Sequence, residues 1–294
     1  MKKVCVITGG GSGMGLATAR RMVEKDYHVI LVGRTAAKLD RAVAELKELG
    51  GEAEAFACDI SDKQSVAALA AHASQCGSVT VVIHAAGMSP HMGTPEQIMR
   101  INAMGTIYVN NAFYGVMDRG GCLIDTSSIS AYIVPSFVIP KRLFRYALTD
   151  PDLFFSKMMR LIRLFPKSTR TGVAYAFSKA FVIWLAKKDA ARFGEKGLRI
   201  LSITPGNFDT PMGEAEKEEA LRYVQTNAIK RLGDPDEIAA LYATVSDESM
   251  GFLTGTDILC DGGCIASGAA ALYRAPKNGA PSEKQSEAAL KSAA

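Results

Sequence analysis

Tyr175 and Lys179 stand four residues apart in "YAFSK", on one face of any helix that carries them. A phenol, with an unperturbed pKa of about 10, exchanges protons poorly at neutral pH until a nearby ammonium favours its phenolate. The pairing therefore has the chemistry of a general acid–base centre. Alone the spacing recurs by chance in many helices, so the surrounding residues decide. Ser127 and Ser128 follow the apolar run in "GCLIDTSSIS", just past a strand, at the edge where open α/β sheets bind ligands. Asn102 in "RINAMGT" sits within a helical pattern despite its poor helix propensity. "TPGNFDTP" (204–211) follows a further strand with a turn and two side-chain acceptors.

A second cluster is suited to phosphate. "TGGGSGMG" (8–15) lies between the first strand and the first helix. Free N–H groups and the positive end of the dipole at a helix start accommodate a pyrophosphate, and glycine lets the backbone come close. The spacing is not G-x-G-x-x-G; what fits is Thr8-Gly9-x-x-x-Gly13-x-Gly15. The second strand ends "VGRT", with Gly33 where a ribose-binding acid would stand and Arg34 beside it, which favours a 2′-phosphate and hence NADP(H) over NAD(H).

The elements that must position these groups are legible as a rhythm. Runs at 3–8, 28–33, 52–58, 79–85 and 121–127 read as strands separated by amphipathic stretches, followed by a long helix at 174–193 and strands at 198–204 and 256–260. Alternation of strand and helix means parallel pairing with right-handed crossovers, a Rossmann-like, doubly wound α/β sheet of about seven strands. One domain over 1–268, with a helical insertion at about 132–171, and a flexible tail at 269–294 are expected.

Composition excludes several classes. With 48% hydrophobic and 22% charged residues over 294 positions the chain is ordinary globular material, and a cytoplasmic protein is expected. No apolar run reaches the roughly 18 residues of a membrane span. The six cysteines show no C-x-x-C pairing, so they are read as reduced, mostly buried small hydrophobes, and no metal is expected. The net charge of +4 divides into +6 over residues 132–171, from eight Lys/Arg against Asp150 and Asp152, and 4 − 6 = −2 elsewhere. That argues against a nucleic-acid binder and for a local basic element.

Taken together, Thr8-Gly9-x-x-x-Gly13-x-Gly15, Asp59 in "CDI", "HAAG" at 84–87, Asn102, Ser128, Tyr175-x-x-x-Lys179, "PG" at 205–206 with Thr210, and "DGG" at 261–263 resemble the short-chain dehydrogenase/reductase family from about residue 3 to 264. The resemblance implies a catalytic set of Asn102, Ser128, Tyr175 and Lys179. Tyr175 would protonate a carbonyl oxygen, Ser128 would hydrogen-bond it, and Lys179 would hold the nicotinamide ribose and lower the Tyr175 pKa. Asn102 would position a water leading to solvent. It further implies a cofactor cradle of Thr8, Gly9, Ser12, Gly13, Met14, Gly15, Arg34, Asp59, Ile60, Ala86, Gly87, Pro205, Gly206, Phe208 and Thr210, together with Tyr175 and Lys179. A small carbonyl or alcohol substrate and a homodimer or homotetramer are expected with it.

Three departures stand out. His84 replaces the first Asn of the family's Asn-Asn-Ala-Gly and is read as a core-edge histidine. Gly87 and Asn102 are unusually close, and 47 residues separate Ser128 from Tyr175. That gap contains "TDPDLFFSKMMRLIRLF", with Thr149 or Asp150 as cap, Pro151 in the first turn and Pro166 as a stop. Phe154, Phe155, Met158, Met159, Leu161, Ile162 and Phe165 share one arc, and Lys157, Arg160 and Arg163 the opposite one. A shorter helix starting at Pro140 would complete a hairpin. The apolar face is expected to pack on the body or a second subunit, to cover a bulky apolar substrate, or to dock on a membrane surface; in the shortened loop and the insertion before Tyr175 the chain resembles bacterial hydroxysteroid dehydrogenase/carbonyl reductase types. Met88, Met92, Tyr132, Ile133, Phe208 and Met212 are expected around the mouth. The rival readings are a 3-oxoacyl thioester reductase and a non-catalytic NADP sensor or scaffold.

Overall fold

The computed structural model describes residues 1–211, 224 and 227–268; Met212 and the 269–294 tail lie outside the described residues. Seven parallel strands form one sheet: β1 (Lys3–Thr8), β2 (His28–Gly33), β3 (Glu52–Ala57), β4 (Ser78–His84), β5 (Cys122–Thr126), β6 (Arg199–Pro205) and β7 (Asp257–Cys260). Their order is β3-β2-β1-β4-β5-β6-β7, so the chain reverses direction across the sheet between β1 and β4 and opens a crevice beyond their carboxyl ends. Every residue of β5 and β6 is buried, because helices cover both faces; continuous apolar runs rather than strict alternation follow from that.

One face carries α1 (Gly13–Val23) and α2 (Ala36–Glu48), and the other α3 (Lys63–Cys76). After β4 come α4 (Pro95–Met99), started by a Thr94–Gln97 capping box, a π-helical turn over Arg100–Met104, and α5 (Gly105–Val116) on the α3 face. The expected strands and the long helix all form, each within a few residues of its expected bounds.

The expected helical insertion also forms: α6 (Ser130–Ile133), α7 (Lys141–Phe144) running into a 3₁₀ turn at Arg145–Leu148, and α8 (Pro151–Ile162). Asp150, not Thr149, caps α8, its Oδ1 accepting from the Leu153 N–H at 2.9 Å. The Arg170 guanidinium donates to the Phe165 and Arg163 carbonyls beyond the other end. Phe154, Met158, Met159 and Ile162 are buried, with Phe154 stacked on Phe181 at 4.5 Å and Phe144 edge-on to Phe181 and Trp184. Phe181 and Trp184 belong to α9 (Arg170–Glu195), which also carries Tyr175 and Lys179. The apolar face of α8 therefore packs on the body of its own chain. The basic arc is not uniformly solvated either, because the Lys157 ammonium lies 4.9 Å from the Tyr146 ring centroid. After β6, α10 (Pro235–Val245), begun by an Asp234–Glu237 capping box, packs on α1. Among the described residues no helix is long and apolar enough to cross a membrane.

Candidate active site

The crevice beyond β1 and β4 is a cleft of about 970 Å³. The glycine loop forms one wall. Gly9 and Gly13 have φ of +72° and +55°, and a Cβ on Gly15 would lie 2.4 Å from the Gly9 carbonyl oxygen. Only glycine lets the turn close on itself there. Ser12, Met14, Ile60, Asp59, Ala86 and Gly87 also line the cleft, and the Asp59 carboxylate is set by accepting from the Ser61 N–H and hydroxyl. At the far end stand Arg34 and Lys38, both exposed and neither ion-paired among the described residues. Pro205, Gly206, Phe208 and Thr210 close the opposite side. Gly206 is required by the DGG segment, since a Cβ there would come within 2.6 Å of the Asp261 Cα. These backbone-rich walls and free cations fit a phosphate-bearing dinucleotide.

Ser128, Tyr175 and Lys179 line the same cleft. The choice between the adjacent serines has a geometric basis. Ser127 is buried and its hydroxyl donates to the Lys179 carbonyl oxygen at 2.8 Å, whereas half-buried Ser128 only accepts from the Ser130 N–H at 3.3 Å. Lys179 Nζ donates to the Thr126 carbonyl oxygen at 2.9 Å and lies 5.9 Å from the Tyr175 ring centroid. A Cβ on Gly87 would sit 3.2 Å from this Nζ and 3.3 Å from Asn102 Oδ1, so glycine there leaves room for both side chains.

Two expected site residues stand behind the cleft and do not line it. Asn102 is buried in the π turn; its Oδ1 accepts from the Met88 N–H at 2.8 Å, and its Nδ2 donates to the Met88 carbonyl at 3.0 Å and to Ser178 Oγ at 3.2 Å. Its side chain thus fixes the loop beside Lys179. Thr8 is fully buried, its hydroxyl shared between His84 Nδ1 at 2.8 Å and the Ala86 N–H at 3.1 Å; it ties the ends of β1 and β4 beneath the cradle. Of the expected mouth residues, Met88, Ile133 and Phe208 line the cleft. Met92 is half exposed outside it, and the Tyr132 hydroxyl is drawn away by donating to Asp257 Oδ2 at 2.6 Å. The apolar wall comes from segments flanking α8: Val134, Val138, Phe165 and Val173.

Under Lys179 lies a buried polar row, of which the sequence marks His84 alone. His84 and Asp125 are register partners on β4 and β5. Burial, aided by the Lys179 charge, pushes the His84 pKa down to about 3, so the ring is neutral. Burial pushes Asp125 up to about 8, against the hydrogen bond that Asn110 Nδ2 donates to its Oδ2 at 2.9 Å. Burial likewise pushes Lys179 down to about 8, and the Asp125 carboxylate opposes it. Asp189 raises Asp125 further and is itself raised by burial, with Arg192 opposing. His84 Nε2, Asp125 Oδ1 and Asn110 Oδ1 are buried with no hydrogen-bond partner among the described residues.

Residues 3–139 match the family profile described as short chain dehydrogenase, and residues 162–264 the one described as enoyl-(acyl carrier protein) reductase. The chain is similar to a short-chain dehydrogenase/reductase, bsc3, of Alternaria brassicicola, 32% identical with 90% of this chain and 97% of that protein covered. A 2,5-dichloro-2,5-cyclohexadiene-1,4-diol dehydrogenase of Sphingobium indicum is 28% identical, with 89% and 95% covered. In fold it resembles a short chain dehydrogenase of Burkholderia cenocepacia solved in complex with NADP, at a TM-score of 0.71 and 24% identity, covering 90% and 98% of the two chains. By the matching family profiles and by its identity to bsc3, the chain belongs to the short-chain dehydrogenase/reductase family.

Proposed function

We propose that the chain is an NADP(H)-dependent oxidoreductase interconverting a ketone and a secondary alcohol, on a bulky apolar substrate of hydroxysteroid class. One observation carries the reading: a single cleft runs from the exposed cations Arg34 and Lys38, past Ser128 and Tyr175, to the apolar residues Ile133, Val134, Val138 and Phe165. A 2′-phosphate at the first end and a large carbonyl compound at the other use that length. The NADP-bound structural neighbour and the cyclic-diol dehydrogenase relative agree with it.

When bound along the cleft, a nicotinamide cofactor would supply or accept the hydride. Tyr175 donates its hydroxyl proton to the carbonyl oxygen in reduction and takes it back in oxidation. Ser128, whose hydroxyl proton meets no protein acceptor among the described residues, donates to the same oxygen and holds it in line. Lys179 keeps positive charge near the Tyr175 ring and, beyond its bond to Thr126, has two N–H groups for ribose hydroxyls. Asn102 and Gly87 fix the loop against which that ammonium rests.

The test is NADPH oxidation across oxo-steroids, simple ketones and 3-oxoacyl thioesters. Turnover is expected on the first and little on the last; the reverse order makes the chain a thioester reductase. A melting shift with NADPH but turnover on none makes it a sensor. Arg34→Ala is expected to raise the NADPH KM with NADH kinetics little changed; equal efficiency with both cofactors in the unmutated chain refutes the preference. The same reading assigns a homodimer or homotetramer, checked by analytical ultracentrifugation.

A further inference from the structure

At the opposite end of β2 from the cradle, four side chains with metal-ligand chemistry converge. His28 opens β2 and Glu54 stands in β3 beside it, both on the face that α3 covers. His72 and Cys76 are four apart on α3, and so share its inner side. His28, Glu54 and Cys76 each offer a donor atom within 4.8 Å of the other two. Glu54 Oε1 is 3.3 Å from His28 Nε2, 2.9 Å from His72 Nε2 and 3.2 Å from Cys76 Sγ, and Cys76 Sγ is 3.6 Å from His72 Nε2.

Zinc bonds of about 2.0–2.1 Å to nitrogen, 2.0–2.2 Å to carboxylate oxygen and 2.3 Å to sulfur in a tetrahedron separate the donors by roughly 3.2–3.6 Å. Four of the donor separations, 2.9–3.6 Å, are close to that range; His72 stands outside the trio whose donors all lie within 4.8 Å, so its imidazole has to move toward His28 to complete a tetrahedron. We propose that His28, Glu54, His72 and Cys76 form a site for a zinc-class divalent cation, joining β2, β3 and α3 at the amino edge of the sheet.

Two further observations point the same way. His28 Nε2 is buried without a hydrogen-bond partner although it faces the Glu54 oxygen. Its other nitrogen, Nδ1, faces Glu52 Oε2 at 3.6 Å, an oxygen also paired with Lys2, where an outer carboxylate would orient a metal-bound imidazole. Phe56 holds the His72 ring at 5.0 Å between centroids. Two imidazoles, a thiolate and one carboxylate select zinc or cobalt over calcium or magnesium, which take oxygen. Four protein ligands leave no open position, so the site is structural.

The test is titration of the chelator-treated, reduced full chain with Co²⁺. One equivalent with a thiolate-to-cobalt charge-transfer band is expected, displaced by Zn²⁺, with a Zn²⁺-dependent rise in Tm. Cys76→Ser is expected to abolish the band and the Tm rise, and Glu52→Gln to weaken Co²⁺ binding about tenfold, the loss typical of an outer partner. NADPH binding, at the other end of the sheet, is expected to stay unchanged in both variants. Absence of the band in the unmutated chain, or its persistence in Cys76→Ser, overturns the proposal. If Cys76→Ser does not fold, Glu54→Gln decides: unchanged Co²⁺ affinity overturns it, and a loss of tenfold or more supports it.

Discussion

Asp125→Asn removes a proton that the fold holds far from its ordinary pKa while keeping the side chain's shape. Burial raises the Asp125 pKa from 3.8 to about 8, so the folded chain keeps a proton that the unfolded chain has released. Its stabilising contribution is complete below pH 3.8 and lost as pH rises through about 8. Between those limits the slope is about 1.4 kcal/mol per pH unit, so the unmutated chain is expected to lose about 3 kcal/mol from pH 5 to pH 7 through this residue alone. Lys179 acts with the opposite sign: its pKa is lowered from 10.5 to about 8, so its contribution appears only as pH rises above about 8. Below pH 6.5 the neutral His84 also opposes the carboxyls, since its pKa falls from 6.5 to about 3, and both chains keep it. Asp189 shares the carboxyl trend, but both chains keep it, and the difference isolates Asp125. Urea unfolding of both chains at pH 5, 6 and 7 measures it. Parallel stability curves would show that Asp125 is ionised in the fold and that the buried row is wrongly described. In activity, Lys179 loses the neighbour that raises its pKa, so the alkaline limb of kcat/KM is expected to move to lower pH.

Tyr175→Phe is expected to bind NADPH normally and lose turnover by about 10² to 10⁴; near-unchanged turnover removes Tyr175 as the acid. Ser128→Ala is expected to cut kcat with little change in stability, while Ser127→Ala, which deletes the bond to the Lys179 carbonyl, lowers Tm as well; the reverse pattern shifts the assignment by one residue. Phe154→Ala leaves a cavity against Phe181 and is expected to destabilise by about 3–5 kcal/mol in urea unfolding. Val138→Ser, on the cleft wall, is expected to raise KM for bulky ketones with KM for NADPH unchanged; no dependence on substrate size refutes the wall.

The sheet and the cofactor loop were legible because their signals are local. β-branched runs, glycine spacing and the Tyr175–Lys179 interval need no partner to be read. What Thr8 and Asn102 do was not legible, because each is decided by a distant strand or loop: Thr8 by His84 on β4, Asn102 by Met88. The Asp125, Asn110 and Asp189 row joins residues far apart in the chain through sheet register and helix packing, and no spacing rule marks it. His72 and Cys76 do carry a spacing, i to i+4, but their partners His28 and Glu54 come from strands that only pairing brings together. For α8 the caps and the apolar arc were readable, whereas the surface it meets was not. The arc alone is equally compatible with a substrate mouth and with the Phe144, Phe181 and Trp184 cluster that it in fact contacts.

That contact changes how the insertion can be altered. Phe154 leans on Phe181, six residues along the same helix from Tyr175. A chain shortened to a plain connection between Ser128 and Tyr175 would not be the same enzyme with a wider entrance. It would present the rings of Phe181 and Trp184 to water on the helix that carries the acid and the ammonium, an apolar patch that invites self-association. Exchanging the loops around Val138 and Phe165 while keeping α7 and α8 in place is the route by which substrate range can change without uncovering the catalytic helix.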